Sequence, residues 1–120
     1  MTVHLSSLHV HVFIAQRLQI AATRFRIPDV CVVLGHEPDE QIFTTPPFIC
    51  IEILSKDDTM TQMQERIEEY LQFGVRYVWV LDPRTQRAYS FTREGMREAS
   101  GGLLRTDEPE IVVPLAGIFS

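Results

Sequence analysis

Two short apolar runs with a helical segment between them constrain this chain more than any other feature. Phe48-Ile49-Cys50-Ile51-Glu52-Ile53-Leu54 is rich in β-branched residues and reads as a buried strand. Thr44-Thr45-Pro46-Pro47 fixes where it can begin, because proline lacks an amide donor and restricts the residue before it. Beyond Leu54 the period changes: Met60, Met63, Ile67, Tyr70 and Leu71 fall on one face of a helix. Asp58 or Thr59 can cap its start and Gly74 can end it in a left-handed conformation, which predicts a helix over about residues 59–73. Tyr77-Val78-Trp79-Val80-Leu81 then reads as a central strand, apolar on both faces. Strand, helix and strand in that order predict a parallel pair joined by a right-handed crossover, hence an α/β fold.

The flanks extend the sheet. Val30-Cys31-Val32-Val33-Leu34 is a second buried strand, while residues 9–20 do not decide between strand and helix. After the turn at Asp82-Pro83-Arg84-Thr85, residues 87–92 alternate and can return antiparallel. Gly101-Gly102 predicts a hairpin between residues 96–99 and 103–106. Met60 and Met63 are expected in the helix core, and Tyr77 and Trp79 in packing rather than base stacking.

Glu52 is the anomaly in this pattern. A carboxylate inside an apolar strand costs several kcal/mol if unpaired, so it must accept a hydrogen bond, hold a proton or share a cation with another acid. Asp29, at the start of the strand over residues 30–34, is the candidate second acid, since antiparallel pairing of the two strands brings it beside Glu52. Two carboxylates suffice for magnesium, which favours oxygen ligands and keeps several waters, and its natural chemistry here is phosphoryl hydrolysis.

The basic residues limit what can assist. Eleven basic against sixteen acidic residues give a formal charge of −5, so no global positive field draws the protein to nucleic acid or to an anionic membrane. Lys56 is the only lysine, and it lies on the strand face of Glu52 if the strand continues. Its backbone is then ~13 Å away, so it either caps the site or points to water. Arg66 on the helix is the other candidate cation; its pKa excludes general-base work and leaves charge stabilisation, the alternative being an ordinary helix pair with Glu65 or Glu69. Asp57-Asp58 suits a helix N-terminus and stands near enough to leave a second-metal role open.

Cys31 and Cys50 lack metal-type spacing and read as reduced core residues, which suits the cytoplasm. No apolar run approaches the roughly 20 residues that span a bilayer, and no export signal is evident at the N-terminus. His4, His9 and His11 have no evident third ligand, so they read as solvent-facing or partner-facing rather than as a metal site.

Four blocks carry a resemblance: Arg26-Ile27-Pro28-Asp29-Val30-Cys31-Val32-Val33, Pro47-Phe48-Ile49-Cys50-Ile51-Glu52-Ile53-Leu54-Ser55, Arg66-Ile67-Glu68-Glu69-Tyr70, and Gly74-Val75-Arg76-Tyr77-Val78-Trp79-Val80-Leu81-Asp82-Pro83. In order and spacing the chain resembles, over about residues 16–119, the Uma-type putative restriction endonuclease family of the PD-(D/E)XK nuclease-like superfamily. The resemblance implies a restriction-endonuclease-like mixed β-sheet core with one main helix between parallel strands. It also implies one domain over residues 1–120, with residues 1–15 atypical and the N-terminal helix of the family expected to be truncated.

For the site, the resemblance implies Asp29 and Glu52 as metal ligands, joined by the backbone carbonyl of Ile53. Three positions depart from it. The superfamily lysine two residues after the acid is Leu54 here, and where the resemblance implies a lysine in the following helix the chain has Arg66. Ala15 stands where a further glutamate is expected. The expected function is therefore a magnesium-dependent endonuclease, with manganese as substitute metal and DNA as substrate. Asp29, Glu52, Lys56 and Arg66 are its catalytic set, and the net charge favours a homodimer that builds a shared cleft. The competing expectation is a non-catalytic module of the same fold used for binding or dimerisation.

Overall fold

A computed structural model describes residues 9–119. Its elements are β1 (Val10–Ile14), β2 (Leu18–Ala21), β3 (Arg24–Arg26), β4 (Val30–Leu34), β5 (Ile49–Ile53), α1 (Met60–Phe73), β6 (Tyr77–Asp82), β7 (Arg87–Thr92), β8 (Gly95–Glu98), β9 (Leu103–Thr106), β10 (Ile111–Pro114) and α2 (Ala116–Phe119). Six strands form one mixed sheet in the order β1-β4-β5-β6-β7-β8, and β2-β3 and β9-β10 form separate two-stranded sheets. The β5-α1-β6 unit is the expected strand, helix and strand, with β5 and β6 parallel from Ile49↔Tyr77 to Ile53↔Leu81. The other pairs of the main sheet are antiparallel. The undecided residues 9–20 form strands, with β1 lying along β4 at one sheet edge.

Local chemistry sets the ends of α1. Thr59 Oγ1 accepts the Gln62 N–H while the Gln62 side chain accepts the Thr59 N–H, a reciprocal capping box. Gly74 ends the helix at φ 117°, where its N–H donates to the Tyr70 and Leu71 carbonyls. A side chain there would be strained twice, since a Cβ would also stand 3.0 Å from Pro46 Cγ.

The sheet is covered on both faces. Against α1 and the β2-β3 hairpin lie Cys31, Cys50, Val78 and Val80, with Met63, Ile67 and Tyr70 from the helix and Leu18 and Phe43 beside them. On the opposite face Ile49, Ile51, Trp79, Leu81 and Ala88 pack against Leu104, Ile111 and Val113 of the β9-β10 hairpin, with Ile118 and Phe119 of α2. Trp79 is thus a core residue, and Cys31 and Cys50 face each other across β4 and β5 as free, buried thiols.

Two expectations are corrected. Met60 is 78% exposed, because it opens the first turn of α1, whereas Met63 is buried. The chain does reverse at Gly101-Gly102, at φ 63° and 71°, but only the Ser100↔Leu103 bridge joins the two arms. The exposed strand β8 instead pairs with β7, while β9 turns Leu104 and Thr106 into the second core and pairs with β10. Burial of alternate β9 residues outweighs the local turn signal.

Candidate metal and nuclease site

The β4-β5 register places Asp29 opposite Glu52. Val30 pairs with Ile51, so the next positions along the two strands are Asp29 and Glu52, and on the other side of β4 the Ala15 N–H donates to the Asp29 carbonyl at 3.0 Å. The Leu54 N–H donates to Leu81 of β6, so Glu52, two residues earlier, also turns its amide toward β6 and not toward β4. Asp29 and Glu52 therefore form a non-hydrogen-bonded antiparallel pair, the kind whose side chains approach most closely, with Cβ atoms about 4.5–5.5 Å apart. Both side chains share the α1 face with Cys31, two residues after Asp29, and Cys50, two residues before Glu52.

The two acids differ in environment. Glu52 is only 3% exposed, whereas Asp29 is at the surface. One oxygen of each is committed: Tyr70 Oη donates to Glu52 Oε1 at 2.6 Å, and the Ile53 N–H donates to Asp29 Oδ2 at 2.7 Å. Burial pushes the Glu52 carboxyl up to about 7, the Tyr70 hydrogen bond pulls it back, and the neighbouring Asp29 raises it again. Tyr70 is in turn driven well above the ordinary phenol range by burial and by the charge of Glu52.

Arg66, one turn before Tyr70 on α1, supplies the positive charge. Its Nη1 lies 3.7 Å from Glu52 Oε2 and its Nη2 donates to Asp58 Oδ1 at 2.5 Å. Neither Glu65 nor Glu69 is its partner. Asp58 also accepts the backbone N–H and the hydroxyl of Ser55, at 2.9 and 3.2 Å. Those bonds, first the Ser55 amide and then Arg66, hold Asp58 below the usual carboxylate range. Asp58 thus fixes the β5-α1 bend and aims Arg66, while the cap falls to Thr59. Lys56 is exposed on that bend and forms no hydrogen bond or ion pair among the described residues.

The donor set fits a hard divalent cation. Among the described residues no donor meets Asp29 Oδ1, and Glu52 Oε2 has only the long contact to Arg66, so one oxygen of each acid is uncommitted there. Among the described residues no group of three or more His, Cys, Asp or Glu side chains could hold a metal, so further ligands must be backbone carbonyl or water. His11 Nε2 lies 2.9 Å from the Gly35 carbonyl, and His4 lies outside the described residues. A cavity of about 410 Å³ lined by Tyr77, Ser90, Arg97 and Arg105 contains no member of this network.

The model of the Uma2 family, described as a putative restriction endonuclease, matches residues 4–118. The chain belongs to the Uma2 family. A crystal structure of a putative nuclease of the DUF820 group from Anabaena variabilis shares the fold of this Uma2 protein at a TM-score of 0.73. The two are 21% identical, over 92% of this chain and 68% of that one. No curated protein matches the chain. The family assignment agrees with the resemblance carried by the four sequence blocks, and the mixed sheet with one main helix between parallel strands agrees with the expected fold. No helix among the described residues is long and apolar enough to cross a membrane.

Three participants were not legible as such in the sequence. Tyr70 reads as helix core and is also the donor to Glu52; its polar tip on a buried helix face, four residues after Arg66, was the available signal. Asp58 reads as a capping residue and instead holds Arg66. Glu69 reads as a surface partner for Arg66 and instead receives two arginines from β3.

Proposed function

We propose that this Uma2 protein is a magnesium-dependent nuclease that hydrolyses DNA phosphodiester bonds, with Asp29 and Glu52 as metal ligands and manganese as an acceptable substitute. The observation that carries this reading is the pairing of the two acids on adjacent strands, each with one oxygen committed to a protein donor and one uncommitted. A bound divalent cation supplies Lewis acidity toward the phosphate and lowers the pKa of a water. The Ile53 carbonyl is the third protein oxygen of the proposal.

The protein groups do the positioning. Tyr70 fixes the orientation of Glu52 and the Ile53 amide fixes that of Asp29. Arg66, permanently charged, stabilises negative charge on the phosphate and cannot act as the base. Lys56 can meet the substrate only from the bend, as a second cation. With a net charge of −5, affinity for DNA must be local and shared, so the active form is taken to be a homodimer. The free thiols Cys31 and Cys50 suit a reducing cytoplasm.

Calorimetric titration with magnesium and manganese chloride, together with plasmid cleavage, tests the reading. Wild type should bind the metal and nick DNA, whereas Asp29→Asn and Glu52→Gln should lose both. Absence of metal binding by wild type, or undiminished cleavage by Asp29→Asn, sinks it. Leu54, standing where the superfamily carries its lysine, favours a second reading as a non-catalytic binding or dimerisation module. Metal and DNA binding without cleavage would select that one.

A further inference from the structure

Arg24 and Arg26 stand outside the acid network, and both grip one carboxylate. Arg24 Nε and Nη2 donate to Glu69 Oε2 and Oε1 at 2.8 and 2.7 Å. Arg26 repeats the geometry at 3.2 and 2.9 Å. Two bidentate arginines thus share one carboxylate between β3 and α1, and Glu65, one turn before Glu69, is a further acid close enough to act on Arg24. The pair holds Glu69 down to about 2, Arg26 contributing more than Arg24, so the carboxylate stays ionised and the cluster stays assembled at neutral pH.

Among the described residues each guanidinium uses its Nε-Nη2 edge alone. Of five N–H donors two are used, and the end-on fork built from Nη1 and the second Nη2 hydrogen is left over. That fork matches two oxygens of a phosphate. The Arg24 side chain is 54% exposed, so its fork is reachable from solvent.

The cluster also lies beside the acids. Arg66, Glu69 and Tyr70 occupy positions i, i+3 and i+4 on one side of α1, and Arg26 precedes Asp29 by three residues. Three residues of helix advance ~4.5 Å, so the Glu69 cluster stands about one helical turn from Arg66 along α1.

We infer that Arg24 and Arg26, held side by side by Glu69, form a phosphate subsite for the nucleic-acid strand, flanking the phosphodiester at Asp29 and Glu52. The inference rests on the nuclease reading for the nature of its ligand and goes beyond it in assigning the residues that supply affinity.

Fluorescence anisotropy with a short fluorescein-labelled DNA duplex tests it, using the full chain, no divalent cation and a series of KCl concentrations. Arg24→Gln leaves the Arg26-Glu69 pair in place, so the fold is kept, as a thermal melt can verify. It should weaken duplex binding about tenfold and make the slope of log K against log salt shallower by about 1, with magnesium affinity unchanged. Wild-type affinity and slope in Arg24→Gln, or no duplex binding by the wild-type chain, each overturn the subsite. Failure of the nuclease reading is visible separately: calorimetry shows no magnesium binding, while the anisotropy still responds to Arg24→Gln.

Discussion

Tyr70 Oη donates to Glu52 Oε1 at 2.6 Å, and this bond links the helix of the β5-α1-β6 unit to the acid of its first strand. Because the carboxylate is 3% exposed, the phenol replaces much of the hydration that burial removes. Removing the hydroxyl in Tyr70→Phe should cost about 1–3 kcal/mol in urea unfolding and should push the Glu52 pKa above its wild-type value of about 7. Carbon-detected NMR titration of the side-chain carboxyl measures the second effect. An unchanged Glu52 titration would contradict this account of the pair.

Glu52 also predicts how stability depends on pH without metal. Its carboxyl titrates near 7 when folded and near 4.5 when unfolded, so between those values the folded state binds the extra proton. The associated stabilisation is present in full below pH ~4.5 and is lost as pH rises through ~7, by up to about 3 kcal/mol. Denaturant midpoints of metal-free protein should fall over that range. Magnesium should restore them at neutral pH, and Glu52→Gln should remove the Glu52 contribution to the slope.

Glu69 has the opposite sign. Its carboxyl is held near 2 by Arg26 and Arg24, against about 4.5 unfolded, so it stabilises above pH ~4.5 and the contribution is lost as pH falls toward 2. Partial exposure screens the pair, so Glu69→Gln should cost about 1–2 kcal/mol at pH 7, and the difference from wild type should vanish near pH 2. A constant difference across that range would show that the arginines do not hold the carboxylate.

Asp58 has both oxygens engaged, Oδ2 by Ser55 and Oδ1 by Arg66. Asp58→Ala should therefore lower the rate of DNA nicking while leaving magnesium affinity close to wild type, with a stability loss of about 1–2 kcal/mol. Equal losses of metal affinity and nicking would instead place Asp58 among the metal ligands.

Gly74→Ala tests the helix end. With φ at 117° and Pro46 Cγ 3.0 Å from the new Cβ, the substitution should cost about 1–3 kcal/mol by thermal or urea unfolding. A neutral result would mean that the Pro46 loop yields without cost.

Elements with a strong local period were legible in the chain. The run from Ile49 to Ile53, the heptad-like spacing of Met63, Ile67 and Tyr70, and the apolar strand from Tyr77 predicted the parallel unit closely, because burial on both sheet faces writes itself into composition. The β9-β10 pairing was not legible. Gly101-Gly102 specifies a reversal, but which strands pair beyond it depends on which side of each strand finds a core.

The site divides the same way. That Glu52 needs a partner follows from one charged residue in an apolar strand, and Asp29 is its nearest acid in an antiparallel pairing. The sequence by itself determined those two residues, the helix that follows them and the family to which they belong. Only the tertiary structure decided that Tyr70 and Arg66 meet Glu52, that Asp58 rather than Glu69 holds Arg66, and that Glu69 gathers Arg24 and Arg26. The reason is physical: hydrophobic periodicity is a local property of the chain, whereas the partner of a charge is set by which side chains long-range packing brings within hydrogen-bonding distance.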